Sequence, residues 1–273
     1  MKLSVTTLGC PEWDLDTIIS RLAEYGYDAV DFRGLMGEMN IYKLPEFSTN
    51  VKETLKKITD AGLVVSCFSS SARLYTKTEE DQAKNIDEVL NYAKLCRIFG
   101  TRYIRVFGGP IGDAGRTAAT KLAAKNLKEL AKLVRPYDVK LLIETHDDWT
   151  DSRYIKALLE EANEDNVRVL WDTHHPIRTL GEMPATTWAL IGKWIEYTHW
   201  KDSYKKENTR KGHMYCLLGK GEMPLSEIYN TLKKNGYDGY FTLEWEKKWE
   251  PSIEEPEIAF PDYTKFMKKL AAN

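Results

Sequence analysis

Leu141-Leu142-Ile143-Glu144-Thr145-His146 is a short apolar run that ends in a carboxylate and an imidazole. A run of this length bounded by polar residues reads as a buried strand, and a charged group at its end is costly unless something neutralises it. The pattern recurs three times downstream, in Val169-Leu170-Trp171-Asp172-Thr173-His174-His175, Glu196-Tyr197-Thr198-His199-Trp200-Lys201-Asp202 and Phe241-Thr242-Leu243-Glu244-Trp245-Glu246. Helical segments over 152–161, near 185–192 and over 225–235 separate these runs, with a polar excursion at 205–212.

The same rhythm extends back to residue 1. Strands are expected over 3–8, 29–33, 64–68 and 103–107, joining those over 140–144, 167–172, 195–199 and 240–245. Helices are expected over 14–25, 49–61, 79–99, 116–134 and, at the end, 263–270. Asp14 fits an N-cap, while Gly26, Gly62 and Gly100 fit helix stops. Strands joined by helical crossovers imply a parallel sheet. Eight such units in 273 residues predict an α/β fold, a single (β/α)8 TIM barrel. The runner-up, an open doubly wound sheet, lacks a GxGxxG fingerprint in its first turn. No Pro-, Gly- or Ser-rich linker divides the chain, so residues 1–273 read as one domain.

With 42% hydrophobic and 29% charged residues, the composition is that of a soluble globular protein. The net charge of −2 and the absence of a basic stripe argue against nucleic-acid binding. No apolar stretch approaches the roughly 18 residues of a membrane span, and the amino terminus reads as a strand instead of a signal peptide. Cys10, Cys67, Cys96 and Cys216 lack CxxC spacing and are expected to be reduced thiols of a cytoplasmic protein.

In a parallel barrel the active site lies at the carboxyl ends of the strands. Glu144, Asp172, His199 and Glu244 fall at the ends of strands five to eight. Alternation along a strand puts Glu144 with His146, Asp172 with His174, His199 with Lys201, and Glu244 with Glu246 on shared faces. His175 lies one residue beyond the reach of that rule. Three carboxylates and one imidazole suit one divalent ion, Mn²⁺, Mg²⁺, Co²⁺ or Zn²⁺. Without a cation at least one carboxylate should take up a proton.

Each residue alone has a plainer reading: a strand-end glutamate usually makes a loop salt bridge, and Trp171, Trp200 and Trp245 read as packing. Coincidence on four consecutive strands favours a shared site. Arg33 and Arg105 could face the lumen and hold a substrate anion, although a buried ion pair explains Arg105 equally well. Lys201 and Asp202 could hold each other or contact substrate hydroxyls. His213 receives no role from spacing, and the glycines at 108–109 and 219–221 read as turns.

These motifs, with Leu218-Gly219-Lys220-Gly221-Glu222, resemble those of the xylose-isomerase-like barrel superfamily of sugar phosphate isomerases and epimerases, which also contains the endonuclease IV fold. The resemblance implies that Glu144, Asp172, His199 and Glu244 bind one divalent metal and that Glu144 and Glu244 are also the catalytic acid/base pair. It implies that His175 contacts substrate oxygens, and His146, Lys201, Arg105 and Glu246 complete the expected substrate-binding set. The implied chemistry is proton transfer next to a sugar carbonyl through a cis-enediolate, giving isomerisation or epimerisation of a small carbohydrate. Ketose epimerases of the superfamily carry an arginine shortly after the metal histidine. That stretch is Lys201-Asp202-Ser203-Tyr204-Lys205-Lys206 in this chain, so their substrate grip is not carried over. The alternative function is a metal-dependent lyase or dehydratase acting on a keto-sugar or inositol derivative. An endonuclease IV-like repair nuclease fits less well, since that activity uses a histidine-rich three-zinc cluster and this chain has five histidines. The expected partner is a small-molecule carbohydrate, with no nucleic acid and no membrane, and a homo-oligomer is compatible with the sequence.

Overall fold

Helical crossovers return the chain to the same end of the sheet after each strand, so the strands add in parallel and the first can meet the last. In the computed structural model, which describes residues 1–209 and 211–272, the strands are β1 (Lys2–Thr6), β2 (Ala29–Phe32), β3 (Val64–Arg73), β4 (Tyr103–Phe107), β5 (Lys140–Glu144), β6 (Val167–Asp172), β7 (Ile195–Trp200), β8 (Asp202–Lys205), β9 (His213–Cys216) and β10 (Tyr240–Leu243). β1 through β7 and β10 form a closed parallel barrel in which β1 pairs with both β2 and β10. The (β/α)8 barrel expected from the sequence is the fold. Arg210, in the polar excursion, and the terminal Asn273 lie outside the described residues.

Around the barrel run α1 (Leu15–Tyr25), α2 (Val51–Asp60), α3 (Glu79–Phe99), α4 (Arg116–Val134), α5 (Ser152–Ala162), α6 (His175–Leu180), α7 (Pro184–Ile191), α8 (Leu225–Lys234) and α9 (Pro256–Ala272). Local chemistry sets their ends. The Asp14 carboxylate accepts the Thr17 N–H at 2.8 Å to start α1. Gly26 ends it at φ +76°, where a Cβ would be strained.

Two apolar regions result. The larger lies between the barrel and its helices; the smaller fills the lumen with Cys67, Leu142, Leu170 and Tyr197. Ser66 Oγ sits 2.8 Å from both Ser4 Oγ and the Tyr197 hydroxyl, so the lumen's polar atoms satisfy one another. This plug matters for function: the next inward-facing residues after Leu142, Leu170 and Tyr197 are Glu144, Asp172 and His199.

Several element boundaries differ from those expected. β1 stops at Thr6, and residues 7–9 turn tightly instead of continuing to 8. β3 runs on through the serines to Arg73, because Ser70 Oγ donates to the Arg105 carbonyl and Arg105 Nη1 returns a bond to the Ser70 carbonyl. The polar excursion joins the strands of an antiparallel hairpin, β8–β9, each only four residues long and too short to show alternation. α6, opened by His175-Pro176, and the full length of α9 were also not anticipated.

Candidate metal centre and active site

Glu144 ends β5, Asp172 ends β6 and His199 is the penultimate residue of β7. Glu244 sits one residue past β10, held by its N–H donating to the Trp200 carbonyl at 3.0 Å. Two threonines explain the Glu-Thr-His and Asp-Thr-His order. Thr145 Oγ1 accepts the Asp172 N–H at 3.0 Å, and Thr173 Oγ1 donates to the His199 carbonyl at 3.1 Å. Each ligand-bearing strand end is thereby tied to the next.

The four side chains converge. One ligand-type atom from each lies within 4.8 Å of the others, and all four residues are buried. His199 Nδ1 is 3.3 Å from Oε1 of Glu144 and 3.3 Å from Oε1 of Glu244. Its Nε2 is 3.2 Å from Oδ2 of Asp31, whose other oxygen accepts the Ser69 hydroxyl at 2.7 Å. Sequence reasoning passed over Asp31; the available signal was one carboxylate inside Ala29-Val30-Asp31-Phe32. Oδ1 of Asp172 accepts the main-chain N–H groups of His174 and His175 at 2.8 and 3.0 Å, which leaves Oδ2 facing the cluster.

Two buried cations balance these carboxylates. Lys201 Nζ lies 2.8 Å from Asp172 Oδ2 and 3.0 Å from Glu246 Oε1, and it also pairs with Glu244. Arg105 Nε is 3.3 Å from Glu144 Oε2 while its guanidinium stacks 3.8 Å from the centre of the Phe107 ring. Burial opposes charge on Glu144, yet Arg105 and His199 hold it ionised and push its pKa down to about 2. Asp172 goes the other way: burial, with Glu244 and Glu144 alongside, raises it to about 6 against the pull of Lys201. His199 is raised well above its ordinary value despite burial, because Glu244, Asp31 and Glu144 surround it.

The cluster borders a cavity of about 640 Å³ lined by Arg33, Arg105, His146, His175, Glu244 and Glu246, among others. His146 packs edge-on to His175 at 4.7 Å and pairs with Asp147 at 2.8 Å. His174 departs from the strand rule. It has already turned into helical geometry, and its ring meets Ser203 Oγ at 2.8 Å behind His213 and Tyr215, which line that cavity where His174 does not. Asp202 does not hold Lys201; its carboxylate accepts the N–H groups of Ser203, Gly219, Gly221 and Met223. A larger groove of about 770 Å³ runs between α3 and α4 on the outer wall, where Lys121, Lys125 and Glu129 are exposed, far from this chemistry.

The sequence from residue 19 to 270 matches the family model described as xylose isomerase-like TIM barrel. The chain belongs to this family. No curated protein matches it significantly by sequence. Among solved structures, this xylose isomerase-like barrel is similar to a zinc-binding IolI protein (17% identity, 100% of this chain and 98% of that one, TM-score 0.83). It is also similar to the probable 3-DHS dehydratase AsbF of Bacillus anthracis (18%, 98% and 99%, TM-score 0.80) and to an L-ribulose 3-epimerase (16%, 100% and 95%, TM-score 0.80). At these identities the likeness is one of fold.

The residues present in this xylose isomerase-like chain suit a divalent ion. Glu144 Oε2 and Asp172 Oδ2 are buried oxygens without a hydrogen bond, although Arg105 stands beside the first and Lys201 beside the second as ion-pair partners. Three carboxylates, one of them with a raised pKa, surround an imidazole whose far nitrogen is already committed to Asp31. Such an outer carboxylate orients a metal-binding histidine and raises its basicity.

Proposed function

We propose that this protein is a divalent-metal-dependent sugar isomerase or epimerase that moves a proton at a carbon next to a carbonyl. The observation that carries this reading is the pair Glu144 and Glu244, each with an oxygen 3.3 Å from His199 Nδ1. Glu144, Asp172, His199 and Glu244 would hold the ion. When bound, the ion would polarise the substrate carbonyl and offset negative charge that develops on the substrate oxygens.

The side chains divide the remaining work. Both glutamates favour the ionised form, as proton acceptors require; Lys201 and then His199 hold Glu244 low against burial, as Arg105 does Glu144. Glu244 lines the cavity and would take the carbon-bound proton, while Glu144, backed by Arg105, would serve the opposite side. Lys201 would orient Asp172, Glu244 and Glu246 and keep the like charges from spreading apart. His146 and His175 would face the hydroxyls of a small carbohydrate in the cavity.

A second reading, dehydration of a keto-sugar or inositol derivative, is favoured by His146. It lines the cavity, and the neighbouring carboxylates of Asp147 and Glu144 raise its pKa against burial, as suits a group that protonates a departing hydroxyl. Metal analysis of the purified protein, with Glu144→Gln and Glu244→Gln assayed for solvent-hydrogen exchange on a panel of ketoses, tests the main reading. We expect one divalent ion per chain and losses of about 10²–10⁴-fold in both variants. A chain that neither retains nor takes up metal would refute it, and loss of water from the product would favour the second reading.

A further inference from the structure

We propose that Arg33 and Arg105 form an anion subsite on the β2–β4 side of the cavity, so that the substrate carries a carboxylate or phosphate besides its carbonyl. This rests on the isomerase reading above for the carbonyl, but not for the anion.

Arg33 follows β2 directly and is 8% exposed. Its main chain is pinned: Thr7 Oγ1 accepts the Arg33 N–H at 2.9 Å and donates to the Gly34 carbonyl at 2.6 Å. The side chain therefore leaves a fixed point and reaches the cavity wall. Among the described residues no carboxylate lies within ion-pair distance of its guanidinium, and Nη1 is buried with no hydrogen-bond partner. Oε1 of the nearby acid Glu88 accepts the Ser71 N–H at 2.6 Å instead.

An unpaired buried cation is expensive, and among the described residues the other two fully buried cations, Lys201 and Arg105, are both paired. Lys201 meets three carboxylates, Arg105 meets Glu144, and Arg178 meets Glu222 at 2.8 Å. Arg33 stands apart from that rule at the place where a ligand would enter. Arg105 is close by. Its guanidinium carbon lies 3.8 Å from the Phe107 ring centre, and that of Arg33 lies 5.9 Å from the same ring. Burial and the Arg105 charge bring Arg33 down to about 10, so it stays protonated at neutral pH. An oxyanion facing both guanidinium groups would satisfy the orphaned donor and relieve their mutual repulsion, using the planar fork that suits carboxylate and phosphate. Arg73, exposed on the rim of the same cavity, adds to the positive field.

Calorimetric titration with three acyclic six-carbon polyols tests this: D-glucitol, which is neutral, D-gluconate and D-glucitol 6-phosphate. The wild-type protein should bind at least one of the anions about tenfold or more tightly than glucitol. That preference should vanish in Arg33→Met and persist in part in Arg33→Lys. Whichever anion holds the preference identifies carboxylate or phosphate as the group recognised. Equal affinities in the wild type overturn the proposal, whatever the variants do. So does a preference that survives in Arg33→Met, as chelation of a site metal alone would produce. These titrations read binding without turnover, so failure of the solvent-exchange assay would sink the isomerase reading and leave this subsite standing.

Discussion

Nε2 of His199 points at Asp31, and that single contact decides how the imidazole can serve. With the far nitrogen committed to a carboxylate, Nδ1 is the nitrogen left to face Glu144 and Glu244, and it would offer its lone pair to a bound ion. Replacing Asp31 by Asn keeps the shape and removes the charge. We expect Asp31→Asn to weaken divalent-metal affinity about 10–100-fold, measured by competition with a chelator. Unchanged affinity would reduce Asp31 to a packing residue. Asp31 was hard to find in the sequence because one acid in a four-residue strand has no stated direction, and its partner lies 168 positions away. Lys201, by contrast, was singled out by strand alternation. What the sequence did not show is that its ammonium sits among Asp172, Glu244 and Glu246, because that depends on how three separate strand ends meet.

At the scale of elements, the segment after β7 is the instructive one. Asp202 gathers four main-chain N–H groups and so fixes the start of β8 against the loop at 219–223. An amide has one acceptor oxygen where the carboxylate has two, so Asp202→Asn should cost about 1–3 kcal/mol, read as a lower urea midpoint; no change would show that the loop holds itself. The β6–α6 junction supplies a pH effect. Burial, with the charge of Lys201 next, keeps His174 well below its ordinary 6.5. Below about pH 6.5 the unfolded chain therefore takes up a proton that the folded chain refuses. Stability from this residue is complete above that pH and is lost as pH falls, at up to about 1.4 kcal/mol per pH unit. His174→Gln should shrink the fall in urea midpoint between pH 7.5 and 5.5 relative to wild type. Equal falls in the two proteins would refute the assignment.

Across the whole molecule, the carboxy-terminal helix closes what the amino-terminal loop begins. Phe260 of α9 is fully buried, packs edge-on to Trp13 at 5.5 Å, and lies where a Cβ on Gly9 would collide with its ring. The Tyr27 hydroxyl donates to the Phe260 carbonyl at 3.0 Å. These contacts join the first and last thirty residues of the chain, which no local signal could reveal. Phe260→Ala should therefore destabilise the protein by about 3–5 kcal/mol. A urea midpoint within experimental error of wild type would show that α9 is an ornament on the barrel.

The sequence alone determined the repeating unit and the chemistry at its ends. Period-2 alternation and helical crossovers are local, so eight strands, their parallel sense and a Glu, an Asp, a His and a Glu at strands five to eight could be read directly. Alternation also made Glu144 and His146 candidates; Glu144 joins the buried cluster and His146 lines the cavity beside it. The rule failed where strand geometry stopped: His174 pairs with Ser203 instead of lining the cavity, and Asp202 turned to its own loop. Only the tertiary structure decided which charges face one another, namely His199 with Asp31, Lys201 with three acids, and Arg33 with none. Electrostatic energy depends on distance through space, and distance between strands is set by register and barrel closure, not by position along the chain.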